Sequence, residues 1–159
     1  MNSSDSIMAA LAATPKPDSM MFQYGTAGFR TRHSVLPSTC LRMGMLAVLR
    51  SQAAGGRYVG VMITASHNAE EDNGIKLVDP SGYMLQQDWE PSAETLANAV
   101  TAEEAVEVIS SLRAQFCIEP SQTRAYVVVG RDTRPHSQGL SDFVKLGVTL
   151  LGESILIYI

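Results

Sequence analysis

A serine hydroxyl followed at once by an imidazole, Ser66-His67 in the run Thr64-Ala65-Ser66-His67-Asn68, is the pairing in this sequence best suited to covalent chemistry. Serine becomes a nucleophile when a positioned base takes its proton. Neighbouring side chains diverge, and the GxSxG elbow is absent, so a Ser-His-Asp hydrolase needs partners from elsewhere, with His33 and His136 available. The alternative at this level is a Ser/Thr/Asn loop that satisfies its own backbone. Both readings remain open from these residues alone.

A second cluster, Tyr24-Gly25-Thr26-Ala27-Gly28-Phe29-Arg30, combines two glycines that permit a tight turn with the five-donor fork of Arg30. That composition suits phosphate, although it is not the GxxxxGK[ST] of a nucleotide loop and equally describes a turn with a surface arginine. Lys76 lies between Ile75 and Leu77, where strand alternation puts it opposite its apolar neighbours, facing either solvent or an anionic ligand. Glu70, Glu71 and Asp72 form an acidic run of the kind usual on a solvated loop, and no compact DxDxD ligand set is present. Cys40 and Cys117 lie in apolar stretches and belong to no CxxC or Cys/His cluster, so the expectation is two reduced, buried thiols without zinc or disulfide.

These groups need elements to hold them. The Ser, Ala and Pro of Met1 to Asp18, with Pro15 and Pro17, predict a flexible lead-in over residues 1–20 carrying at most a short helical turn pair around Ile7 to Ala12. Leu41, Met45, Leu46, Val48 and Leu49 recur at helical spacing until Gly55-Gly56. Tyr58 to Ile63 and Ala125 to Val129 are apolar, β-rich runs typical of buried strands, and Ser154 to Ile159 is a third. Asp79-Pro80-Ser81-Gly82 predicts a hairpin between Ile75–Val78 and Tyr83–Leu85. Helices are predicted over Trp89 to Ala99, over Ala102 to Phe116 and from a Ser137 or Ser141 cap to about Leu151. This order is that of a three-layer α/β/α domain with a mixed, mainly parallel sheet, spanning residues 21–159. Ligands in such domains sit beyond the carboxyl ends of the strands, where the loops Thr64 to Gly74 and Gly130 to His136 emerge.

Composition bounds the rest. The 159 residues, 45% apolar and 18% charged, suffice for one core without staples. A net charge of −4, from 12 basic and 16 acidic residues, argues against a nucleic-acid partner, which needs a basic surface. No apolar run is long enough to span a bilayer, and Ile7 to Ala13 is too short and lacks the basic flank of a secretory signal, so no membrane partner and a cytoplasmic location are expected.

Taken in order, YGTAGFRT (24–31), LRMGMLAVLRS (41–51), VMITASHNAEEDNGIKLVDPSGYML (61–85), WEPSAETLANA (89–99) and VVVGRDTRPHS (127–137) resemble the α-D-phosphohexomutases. GTAGFRT, EEDNGIKLVDP and GRDTRP are most similar to the phosphoacetylglucosamine mutase branch, ahead of phosphoglucomutase or phosphomannomutase. The resemblance runs from about residue 22 to the end and implies the first, phosphoserine-bearing domain of a four-domain enzyme, with domains II–IV not represented; a truncated, non-catalytic binding module is the alternative.

The resemblance implies that Ser66 carries a transferable phosphate and, through it, touches Mg²⁺, whose other ligands belong to the second domain. A hexosamine 1,6-bisphosphate is the implied intermediate, and N-acetylglucosamine 6-phosphate and 1-phosphate are the implied substrate pair on the route to UDP-N-acetylglucosamine. Arg30, His67 and Lys76 match positions lining the phosphoserine, Thr26 and Asn68 shape or contact its phosphate, and Arg131 and Arg134 match a segment weighted toward structural roles. Ala69 stands where the family usually has proline, which widens the loop's accessible backbone without removing a reacting group. The chain by itself is expected to show no significant turnover.

Overall fold

The computed structural model describes residues 3–152 and 154–158. Five helices, α1 (Ser3–Ala13), α2 (Pro37–Ala53), α3 (Glu90–Asn98), α4 (Ala102–Gln115) and α5 (Ser137–Leu150), accompany five strands. The strands are β1 (Phe29–Arg32), β2 (Tyr58–Ile63), β3 (Asp72–Val78), β4 (Ala125–Arg131) and β5 (Ser154–Tyr158), in the sheet order β1-β3-β2-β4-β5.

The α/β class and the mixed sheet follow the pattern of the sequence, with one refinement. β3 pairs antiparallel with both β1 and β2, whereas β2–β4 and β4–β5 are parallel, so the balance is even where a mainly parallel sheet was expected. The reason is local: eight residues link β2 to β3, too few for a crossover, and the chain must turn back beside the strand it left.

Strand alternation splits the sheet into two faces. Val59, Val61, Ile63, Ile75, Leu77, Val127 and Val129 are buried on the face that α2 and α5 cover. α2 is buried along its whole length from Ser38 to Gln52, so it needs cover on its far side as well, and α3 and α4 supply it. The layers therefore run sheet, helix pair, outer helices. On the opposite face Gly60, Met62, Val78, Tyr126 and Val128 are half-buried.

α2 and α5 cross with their backbones in contact. A Cβ on Gly44 would stand 2.2 Å from the Val144 carbonyl oxygen and one on Gly147 2.0 Å from that of Leu41. Arg42, 1% exposed, extends from α2 and donates from Nη1 to the carbonyls of Leu96, Ala97 and Ala99 at 3.2, 2.8 and 2.7 Å, closing the carboxyl end of α3.

Several local expectations are corrected. α1 is a full helix of 11 residues with Leu11 buried and Ile7 and Ala10 against the core, in place of a flexible lead-in with a turn pair. Pro15 and Pro17 stop this helix after Ala13 instead of preventing it. β1 was invisible because Phe-Arg-Thr-Arg shows no apolar alternation; it exists through pairing with β3. The Asp79 turn closes, with Gly82 at φ +85° donating to the Asp79 carbonyl and Asp79 N–H donating to Tyr83, yet only the single bridge Val78–Met84 follows. Ser137 does not cap α5: His136 holds the cap position, and the Ser137 hydroxyl donates instead to an Asp132 carboxylate oxygen, the stronger acceptor. Cys40 is buried in α2, whereas Cys117, expected to be buried, is exposed just past the end of α4. The strand predicted to Ile159 is described to Tyr158, and Ile159 lies outside the described residues.

Candidate active site

Two loops leave adjacent carboxyl ends in the parallel half of the sheet, residues 64–71 after β2 and residues 132–136 after β4. Their register is set by the paired strands, which align Ile63 with Arg131, and by the Asp132 N–H donating to the Ile63 carbonyl at 3.0 Å. Whatever the first loop presents is thus fixed against the second.

Ser66 is exposed and has φ +48°, a left-handed conformation that costs a non-glycine residue about 1 kcal/mol or more. Specific bonds hold it there. Its N–H donates to Thr64 Oγ1 at 3.3 Å, its carbonyl accepts from Arg134 Nη2 at 3.3 Å, and the same nitrogen reaches the Asn68 carbonyl at 2.9 Å. The Asn68 N–H donates to the Ala65 carbonyl, and Asn68 Nδ2 donates to Asp72 Oδ2 at 3.2 Å. The hydroxyl is left pointing outward, with Arg30 Nη2 at 3.5 Å.

Asp132 anchors this arrangement. One oxygen accepts from Thr64 Oγ1 at 3.0 Å and from Arg134 Nη1 at 2.5 Å, and the other from the Arg134 N–H at 3.1 Å and Ser137 Oγ at 2.5 Å. Partial desolvation pushes the carboxyl upward, and the bonds from Ser137, Arg134 and Thr64 outweigh it, holding the group down at about 2. Asp132 stays ionised and keeps Arg134 aimed at the serine loop.

Close approach decides two glycines. A Cβ on Gly74 would lie 2.7 Å from the Thr64 carbonyl oxygen, 2.8 Å from that of Phe29 and 2.9 Å from Arg30 Cγ, so only glycine lets β1, β2 and β3 converge beneath the serine. Gly28, at φ +77°, would place a Cβ 2.2 Å from the Ile75 carbonyl oxygen and 2.7 Å from Lys76 Cβ. The glycine-rich turn is therefore pressed onto the strand that carries Lys76.

The sequence-predicted residues divide accordingly. Ser66, Arg30, Asn68 and Arg134 come together. Lys76 lies on the same sheet face as Arg30, because Arg30 pairs with Gly74 two residues earlier, and it lines a pocket of about 360 Å³ with Thr26, Tyr24 and Glu90. His67 is exposed and makes no hydrogen bond among the described residues, so it is not a base seated on Ser66. Arg131 is exposed, its side chain donating to the carbonyl of Asp132. Asp132 and Gly74 were missed; the spacing Asp132-x-Arg134, an aspartate bonding the backbone two residues on, was the available signal.

A hydroxyl without a base beside it, faced by a guanidinium and backed by another, is arranged for an anion on its oxygen rather than for hydrolase chemistry. The family model described as "Phosphoglucomutase/phosphomannomutase, alpha/beta/alpha domain I" matches residues 34–105. The phosphoacetylglucosamine mutase of Sus scrofa is 48% identical over 148 residues, covering 93% of this chain. The chain belongs to the α-D-phosphohexomutase superfamily. It spans 27% of that pig relative's length. Among phosphohexomutases of known structure, an N-acetylglucosamine-phosphate mutase in the apo-form superposes with a TM-score of 0.93 at 41% identity, over 99% of this chain and 34% of the other. The N-acetylphosphoglucosamine mutase of Aspergillus fumigatus, solved with GlcNAc-6P and magnesium, gives a TM-score of 0.87 at 38% identity over 98% of this chain and 28% of the other.

Phosphohexomutase membership gives the strained Ser66 loop a setting, and the described residues also limit what this chain supplies. They contain no group of three His, Cys, Asp or Glu able to hold a metal ion. No helix among them is long and apolar enough to cross a membrane.

Proposed function

We propose that Ser66 carries the transferable phosphate of an enzyme interconverting N-acetylglucosamine 6-phosphate and N-acetylglucosamine 1-phosphate. The observation that carries this reading is the exposed Ser66 hydroxyl, held at positive φ by Arg134 and Thr64 and faced by Arg30 with no base bonded to it. In the forward step a free sugar hydroxyl attacks phosphorus, a new P–O bond forms, and the bond from phosphorus to Ser66 Oγ breaks. The resulting bisphosphate turns over, and Ser66 Oγ takes its other phosphoryl group. Transfer of this kind is governed by in-line placement and by cations on the equatorial oxygens, which suits the Arg30 fork. Lys76, on the same face, is assigned to stabilise charge or to accept the sugar hydroxyl's proton.

Among the described residues no group of three His, Cys, Asp or Glu could hold magnesium, and both Asp132 oxygens are engaged, so in this reading the phosphate on Ser66 would be a ligand to the ion and the remaining ligands would come from outside these residues. The mutase relatives favour the acetylglucosamine branch over the glucose and mannose branches. The free Cys40 and Cys117 suit a reducing, cytoplasmic setting.

Peptide mass spectrometry of the chain purified from cells is the test. A phosphate on Ser66 that disappears in Ser66→Ala is the expected result, and stoichiometric phosphate on another residue with Ser66 bare overturns the assignment. Because the chain spans about a quarter of its relatives' length, the purified 159-residue protein is expected to show no steady mutase turnover in a coupled assay.

A further inference from the structure

Arg134 holds only the first half of the serine loop, at the carbonyls of Ser66 and Asn68. The second half is held by different groups. His136 Nε2 lies 2.7 Å from the Glu70 carbonyl oxygen, and the His33 N–H donates to the Glu71 carbonyl at 3.0 Å. We propose that His136, oriented by the buried Asn73, is a positioning residue that keeps the second half of the Ser66 loop closed on the sheet.

Hydrogen-bond accounting fixes the roles. Asn73 is fully buried, and its Oδ1 accepts the Gly74 N–H at 2.8 Å, so its amide nitrogen must face the other way. That nitrogen donates to His136 Nδ1 and to Ser137 Oγ, both at 2.9 Å. His136 Nδ1 is therefore an acceptor, the ring proton sits on Nε2, and Nε2–H donates to the Glu70 carbonyl, which can only accept. His33 stacks on the same ring, centroids 3.9 Å apart and planes 3° from parallel, and blocks its rotation. The Ser137 hydroxyl in turn donates its hydrogen bond to the ionised Asp132, which holds Arg134. The result is a closed circuit from the Ser66 carbonyl through Arg134, Asp132, Ser137, Asn73 and His136 to the Glu70 carbonyl, with each half of the loop tied to one end.

The meaning for phosphoryl transfer rests on Ser66 as the phosphate carrier; the holding of the loop does not. Amide hydrogen exchange and backbone NMR on the 159-residue chain test it, with His136→Ala and His136→Gln, whose terminal amide keeps a donor near the Glu70 carbonyl. In His136→Ala, exchange at the Asp72 and His33 amides is expected to rise about tenfold or more while β2, β4 and the Asn68 amide, in the half held by Arg134, keep their protection, and His136→Gln is expected to restore most of it. Exchange within about twofold of the parent in His136→Ala, an even rise through all strands, or no recovery in His136→Gln would each overturn the proposal. A loop that loosens as expected in a chain whose Ser66 never carries phosphate would leave the positioning role standing and remove its functional reading.

Discussion

Replacing Asp132 with asparagine keeps the shape of the side chain and removes the charge on which Arg134, Thr64 and Ser137 converge. The size of the effect follows from proton linkage. The carboxyl is held at about 2 in the folded chain against an ordinary 3.8, and its side chain is 23% exposed, so solvent screens part of the difference. At 1.36 kcal/mol per unit this is at most about 2 kcal/mol of stability. Because the folded value is the lower one, the contribution is complete above about pH 5, about half remains near pH 3, and it is lost as pH falls through 2. Urea unfolding of parent and Asp132→Asn between about pH 3 and 7 is the assay. The gap between their unfolding free energies is expected to be up to about 2 kcal/mol at neutral pH and to narrow by up to about 1 kcal/mol at the acid end. A gap that stays constant across the range would show that Asp132 acts by shape alone and would refute its role as a charged anchor.

Gly147→Ala forces a methyl group into the Leu41 carbonyl and is expected to cost roughly 1–3 kcal/mol or more, whereas Gly139→Ala, on the same helix with open space around it, should be neutral or slightly stabilising. Equal melting temperatures for the two would contradict the close α2–α5 crossing. Burial pushes the Tyr24 phenol up to about 12, and its oxygen accepts the Leu77 N–H at 2.9 Å where β1 no longer pairs. Its stabilising effect is full below about pH 10 and fades toward 12; an ultraviolet titration in which every tyrosine ionises together near 10 would count against it. Arg42→Met keeps the apolar stem and strips three carbonyls at the end of α3 of their donor. A loss of roughly 2–4 kcal/mol is expected in denaturant unfolding, and a loss below about 0.5 would mean those carbonyls are satisfied otherwise.

Much of this domain was written into local sequence. β2 matched its apolar run from Tyr58 to Ile63 because a strand buried on one face and half-covered on the other needs that composition, and α2 matched because its apolar spacing ends at two glycines of positive φ. Ser66 and the residues named with it stood out through motif alone. What sequence could not supply were properties that exist only between segments. β1 has no pattern of its own and is a strand because β3 is beside it. α1 looked loose until α4 gave Leu11 a place to bury. His67, adjacent in the chain, does not bond the serine, while Asp132 and Arg134, 66 and 68 residues away, do the holding. Short-range order is set by propensity and periodicity, which one stretch of chain contains. The aim of a hydroxyl is set by which carbonyls and carboxylates the parallel pairing of β2 with β4 brings within 3 Å, and that is decided only when the sheet forms.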